Sequence, residues 1–91
     1  MSPGDLVTPL RDVAFIEGGI YLYSSRTLGD DDILLSVMLK RGEIATVLDV
    51  SMSYLSYTDG EHEIEEWIPV AKILAPSGIG WVQNNYLDVM G

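Results

Sequence analysis

The chain has no cysteine and a single histidine, His62, among its 91 residues. Without cysteine, disulfides, thiolate metal sites and cysteine nucleophiles are excluded. One histidine leaves no material for a histidine-rich metal centre. Bases are also scarce: 5 Lys and Arg stand against 14 Asp and Glu, giving a formal net charge of −9 and a pI near 4.1. That balance argues against binding a phosphate backbone, which needs clustered cations, and against docking on anionic lipid. No apolar run approaches the length that spans a bilayer. The start, Met1-Ser2-Pro3-Gly4-Asp5, lacks the basic and apolar regions of a signal peptide, so we expect a chain that stays in the cytoplasm or in an assembly built there. Neither a G-x-S-x-G elbow, nor a phosphate-binding G-x-x-x-x-G-K-[ST] loop, nor a full G-x-G-x-x-G is present. Gly78-Ile79-Gly80 begins like the last of these and reads as a strand feature. We expect no enzyme, no cofactor and no metal.

Hydrophobic residues make up 47% and charged residues 21%, which suits one folded domain over residues 1–91. Turn-formers punctuate the chain at Gly4-Asp5, Gly18-Gly19, Gly29-Asp30, Arg41-Gly42, Asp59-Gly60 and Pro76-Ser77-Gly78. Between them lie short runs rich in β-branched and aromatic residues. Leu6–Thr8, Ala14–Ile16, Ile20–Tyr23, Glu43–Ser53, Trp67–Ala75, Ile79–Val82 and Leu87–Met90 read as strands. With no long 3.6-residue apolar stripe, the pattern predicts an all-β domain, a small barrel or sandwich. Leu6-Val7 is placed to pair with Leu87-Asp88-Val89 and so cover a sheet edge. The window from Asp32 to Lys40 is apolar enough for a short helix capped by Asp30 or Asp31, but Gly42 stops it early. We read it as an irregular loop leading into a strand. Eight of the acids fall into two stretches, three at Asp30-Asp31-Asp32 and five within 59–66, both read as solvated loops.

From Leu34 the chain runs LLSVMLKRGEIATVLDVS, passes the second acidic stretch, and ends EEWIPVAKILAPSGIGWVQNNYLDVM. This resembles an SH3-like barrel. Leu35-Ser36-Val37, Lys40-Arg41-Gly42-Glu43 and Val47-Leu48 stand where SH3 domains carry the diverging turn and second strand. Gly80-Trp81-Val82-Gln83-Asn84-Asn85-Tyr86-Leu87 is similar to the G-W-V-x-x-x-Y-L close of bacterial SH3 domains. Gly4-Asp5-Leu6-Val7, Gly42–Val50 and Lys72–Leu87 together resemble small SH3-like proteins of tailed bacteriophages. The resemblance covers most of the chain, is specific in the C-terminal third, and is weak from Arg11 to Ile33. It implies about five to seven short strands with a single 3₁₀ turn before the last one. Asn84-Asn85 suit that turn, Pro76-Ser77-Gly78 suits a tight hairpin, and Gly80 suits close packing at a strand bend.

Candidate site residues come from the aromatics and acids. The resemblance sets Tyr86 at the tyrosine that ends a peptide-binding groove, Tyr21 and Tyr23 at its first-strand tyrosines, and Asp30, Asp31 and Asp32 at its acidic loop. The chain departs from the family at Gln83, where the groove has proline. It departs again at Trp67-Ile68-Pro69-Val70-Ala71-Lys72, where Trp67 stands one residue out of step. Trp67 and Trp81 are further candidate partner contacts. His62 lies among glutamates and reads as a surface residue without a catalytic role. Asp59-Gly60-Glu61-x-Glu63 faintly resembles a Ca²⁺ loop without matching its pattern.

The leading expectation is a non-enzymatic protein-interaction module, a phage-encoded virion or accessory protein found in the virion or host cytoplasm. Its partner is a protein with a basic surface, since opposite potentials speed encounter and fix orientation. Neither direct nucleic-acid binding nor membrane binding is expected, and self-assembly within a larger particle is compatible with small size and sheet edges. Two alternatives follow: a bacterial cell-wall-binding SH3 module, or an acidic DNA mimic that inhibits a host enzyme.

Overall fold

A computed structural model of the chain describes residues 1–11 and 18–90. The strands are β1 (Leu6–Pro9), β2 (Gly19–Tyr23), β3 (Ile33–Lys40), β4 (Ala45–Asp59), β5 (His62–Ala75), β6 (Gly78–Gln83) and β7 (Leu87–Met90). Two 3₁₀ turns, Asp30–Asp32 and Asn84–Tyr86, precede β3 and β7. The domain is all-β, and the turn before the last strand sits where Asn84-Asn85 predict it. The expected strand at Ala14–Ile16 lies outside the described residues.

The strands form one antiparallel sheet in the order β3-β2-β6-β5-β4-β1-β7. The terminal pairing read from the sequence is present: Leu6 faces Met90, Val7 faces Val89 and Thr8 faces Asp88. On its other side β1 pairs with β4 through Leu6–Thr46 and Val7–Ala45. The expected barrel needs one correction, because the sheet is open: no ladder joins β3 to β7. Curling brings β3 against β6, β5 and β1 instead. There the Ser77 hydroxyl accepts from the Met38 N–H at 3.0 Å and donates to the Met38 carbonyl at 2.8 Å. A hydroxyl clamp from the β5–β6 turn thus meets the β3 edge where a closed barrel would have a strand.

Alternating residues of these strands build one core from Val7, Ile20, Leu22, Leu39, Ala45, Val47, Ala71, Ile73, Ala75, Val82 and Leu87, with Val37 packed against it. Burying each larger side chain contributes roughly 1.5–3 kcal/mol. Gly80 lets β2 and β6 approach: a Cβ there would lie 2.5 Å from the Leu22 Cβ. No side chain larger than hydrogen fits at that crossing, as the sequence reading proposes.

Two segments depart from the sequence reading. The window at 33–40 is a strand, preceded by the 3₁₀ turn, rather than an irregular loop. Its alternation is broken by a bulge: Tyr21 pairs with Met38, but the adjacent Leu22 pairs with Leu34. Leu35 is pushed out to 79% exposure, while Val37 folds back onto the core. The second acidic stretch is also mostly strand. Register runs unbroken from Asp49–Lys72 to Asp59–His62, so only Gly60 and Glu61 make the turn. Gly60 has φ +63, the positive value that a tight two-residue hairpin turn needs at its first central position. Residues 52–69 therefore form a two-stranded arm extending from the sheet.

Candidate binding cleft and the arm

Cross-strand partners share a face of the sheet, which places the sequence-selected aromatics. Tyr23 pairs with Ile33 on one side and Trp81 on the other, and Trp81 pairs with Lys72. Since Leu22 is in the core, Tyr23 and this whole row face the opposite way. Tyr21, two residues earlier, lies on the same face. Against it stands a cleft of about 440 Å³ lined by Tyr21, Tyr23 and Tyr86 together with Leu28, Ile33, Leu55 and Gln83. Six parts of the chain converge there: β2, the loop before β3, the start of β3, the inner arm, the end of β6 and the turn before β7.

The loop that contributes Leu28 is held tightly. Ser24 N–H donates to the Asp32 carbonyl at 2.8 Å, Asp32 N–H to the Gly29 carbonyl at 2.9 Å, and Leu28 N–H to the Ser25 carbonyl at 3.1 Å. Arg26 anchors it to the arm by donating to the Met52 carbonyl at 3.0 Å. Leu28 itself adopts φ +53, the left-handed region that a branched side chain enters only at a cost of order 1–3 kcal/mol. The loop's hydrogen bonds hold Leu28 in this conformation, with its side chain at the cleft wall. Asp30, Asp31 and Asp32 form the 3₁₀ turn between the lining residues Leu28 and Ile33, and none of the three lines the cleft.

The structure thus brings Tyr86 together with Tyr21 and Tyr23, while Asp30–Asp32 adjoin the cleft only through their chain neighbour Ile33. Trp81 is half-buried on the same face, next to Tyr23, without lining the cleft. Trp67 is elsewhere. It pairs with Tyr54, one residue from Leu55, so it points to the opposite face of the arm from the cleft. Leu55 and the loop residue Leu28 are lining positions that sequence reasoning missed; a positive φ at leucine has no sequence signature. Two buried acceptors near these elements, Ser53 Oγ and Asn84 Oδ1, have no hydrogen-bond partner among the described residues.

On its other face the arm carries Trp67, 63% exposed, with its ring edge-on to Tyr54 at 5.3 Å between centroids. Glu65 lies beside them. By accepting a hydrogen bond from the Tyr54 hydroxyl, with some desolvation and its own charge adding, it raises the Tyr54 pKa above the ordinary tyrosine value. His62 sits at the arm tip opposite Asp59, exposed. Among the described residues no group of three or more His, Asp or Glu side chains is placed to hold a metal ion, and no helix is long and apolar enough to cross a membrane.

No family model, curated protein or solved structure matches the chain.

Proposed function

We propose that the chain is a non-enzymatic protein-interaction module of SH3-like design, and that the tyrosine cleft receives an extended, basic segment of a protein partner. The observation that carries this reading is the convergence of Tyr21, Tyr23 and Tyr86 at one cleft, with the acidic turn Asp30–Asp32 directly preceding the lining residue Ile33. Flat rings offer large contact area to an extended backbone at little entropic cost, and the neighbouring carboxylates favour lysine or arginine. The all-β architecture, the strand count and the 3₁₀ turn before β7 support the SH3-like part of this reading. The similarity of Gly4–Val7, Gly42–Val50 and Lys72–Leu87 to phage proteins supports a virion or accessory role, which mass spectrometry of purified particles tests directly.

The cleft is tested with a proline-rich peptide flanked by arginine, followed by amide chemical shifts. Shifts at Tyr21, Tyr23, Tyr86 and 30–32, with binding weakened at least tenfold by Tyr86→Ala, are the expected result. A peptide that leaves those amides unmoved removes the cleft from the account.

A further inference from the structure

Beyond the cleft, we propose that the outer half of β5, residues 62–69, is a second docking surface. Its occupant is an extended strand of a partner protein that carries lysine or arginine at alternate positions and pairs edge-on with β5.

The backbone supplies the first reason. Residues 70–75 of β5 are laddered on both sides, to β4 and to β6. Residues 62–69 are laddered to β4 alone, and no strand lies on their other side among the described residues. Such an edge presents unpaired N–H and C=O groups over a run long enough to template another strand, until Pro69 ends the row of donors. Main-chain bonds along an edge give affinity, and alternate side chains give selection.

Charge decides the occupant. Residues 47–71 contain six acids, Asp49, Asp59, Glu61, Glu63, Glu65 and Glu66, and neither lysine nor arginine. Like charges directly opposite one another destabilise strand pairing. For a second copy of this chain, every antiparallel register centred on residues 64–66 sets at least one glutamate against another, and the in-register parallel alignment sets all of them so. Self-pairing is thereby disfavoured. A nucleic acid would meet the same six negative charges. A strand with alternate cations would meet Glu63 and Glu65 on one face, and Trp67 on that face offers an exposed ring for an apolar or cationic neighbour. Tyr54, paired with Trp67 from behind and edge-on to it, fixes that ring.

The full chain is titrated with a heptapeptide in which lysine and valine alternate, and with an isomer of the same composition whose lysines are clustered. Amide shifts along 62–69 and Trp fluorescence report binding. The alternating peptide is expected to bind at least tenfold more tightly than the clustered one. It should lose at least tenfold when its edge-facing amides are N-methylated, and likewise with Glu63→Lys/Glu65→Lys, a variant confined to exposed positions whose fold is checked by circular dichroism. Tyr86→Ala should leave this binding unchanged, so failure here and failure of the cleft are separable. Equal binding of the two isomers, indifference to N-methylation, shifts restricted to the cleft, or sedimentation of the free chain as a dimer that Glu63→Lys/Glu65→Lys alters would each overturn the proposal.

Discussion

The body of the sheet and its arm are built from similar residues but held by different forces. In the body, side chains such as Leu22, Leu39 and Ile73 are fully buried and every strand contributes to one core. Along the arm from Met52 to Pro69, the one fully buried residue is Ser53, while Met52, Tyr54, Tyr57 and Trp67 stay exposed. A two-stranded ribbon without a core is marginal in water. The arm keeps its shape through its cross-strand pairs, its Gly60 turn and the Arg26 anchor at its root. Exposed apolar side chains that do not hold the fold are free to serve a partner, which is the basis of the docking surface proposed for the arm.

The largest expected effect falls on the body. Removing residues 1–8 deletes the strand that joins β4 to β7 and takes out the fully buried Val7, so cooperative thermal unfolding should be lost. Unchanged thermal stability in the truncated chain would mean that β1 is not part of the body at all. Next comes a matched pair of truncations. Ile73→Ala should cost about 2–5 kcal/mol in denaturant unfolding. Trp67→Ala, although it removes a larger side chain, should cost less than about 1.5 kcal/mol, the scale of a lost aromatic pair. Equal costs would erase the distinction between the two regions.

The smallest effect is local to the arm. Because Tyr54 has its pKa raised, the stabilisation it draws from Glu65 is fully present below the ordinary tyrosine pKa and is lost as pH rises through the raised value. Spectrophotometric titration should show one tyrosine ionising later than a free phenol, and Glu65→Gln should bring it back down. If Glu65→Gln moves no tyrosine, the arm face is not ordered as described.

How far the sequence foretells this molecule follows the same division. Body strands alternate or carry β-branched runs, and Pro76-Ser77-Gly78, Gly80 and Asn84-Asn85 mark their turns. The arm is hidden because glutamate is a poor strand former, so His62-Glu63-Ile64-Glu65-Glu66 resembles a solvated loop. The signal that reveals it is Asp59-Gly60, a hairpin dipeptide flanked by Tyr57 and Ile64 on one face. At 33–40 the bulge beside Leu22 breaks the period, and no local residue marks it. Of the cleft lining, Tyr21, Tyr23 and Tyr86 are singled out in the sequence through the resemblance to a groove, whereas Asp30–Asp32, singled out with them, do not line it. Leu28 and Leu55 reach the cleft only by tertiary placement, and the face that Trp67 takes is set by its register against Tyr54.

Native-state hydrogen exchange tests the central distinction most directly. The account predicts that amides of Val7, Leu22, Ile73 and Val82 exchange only through global unfolding, while bonded arm amides between 54 and 67 exchange through a lower-energy local opening. Uniform protection across β4 and β5, from their core ends to the Gly60 turn, would contradict it.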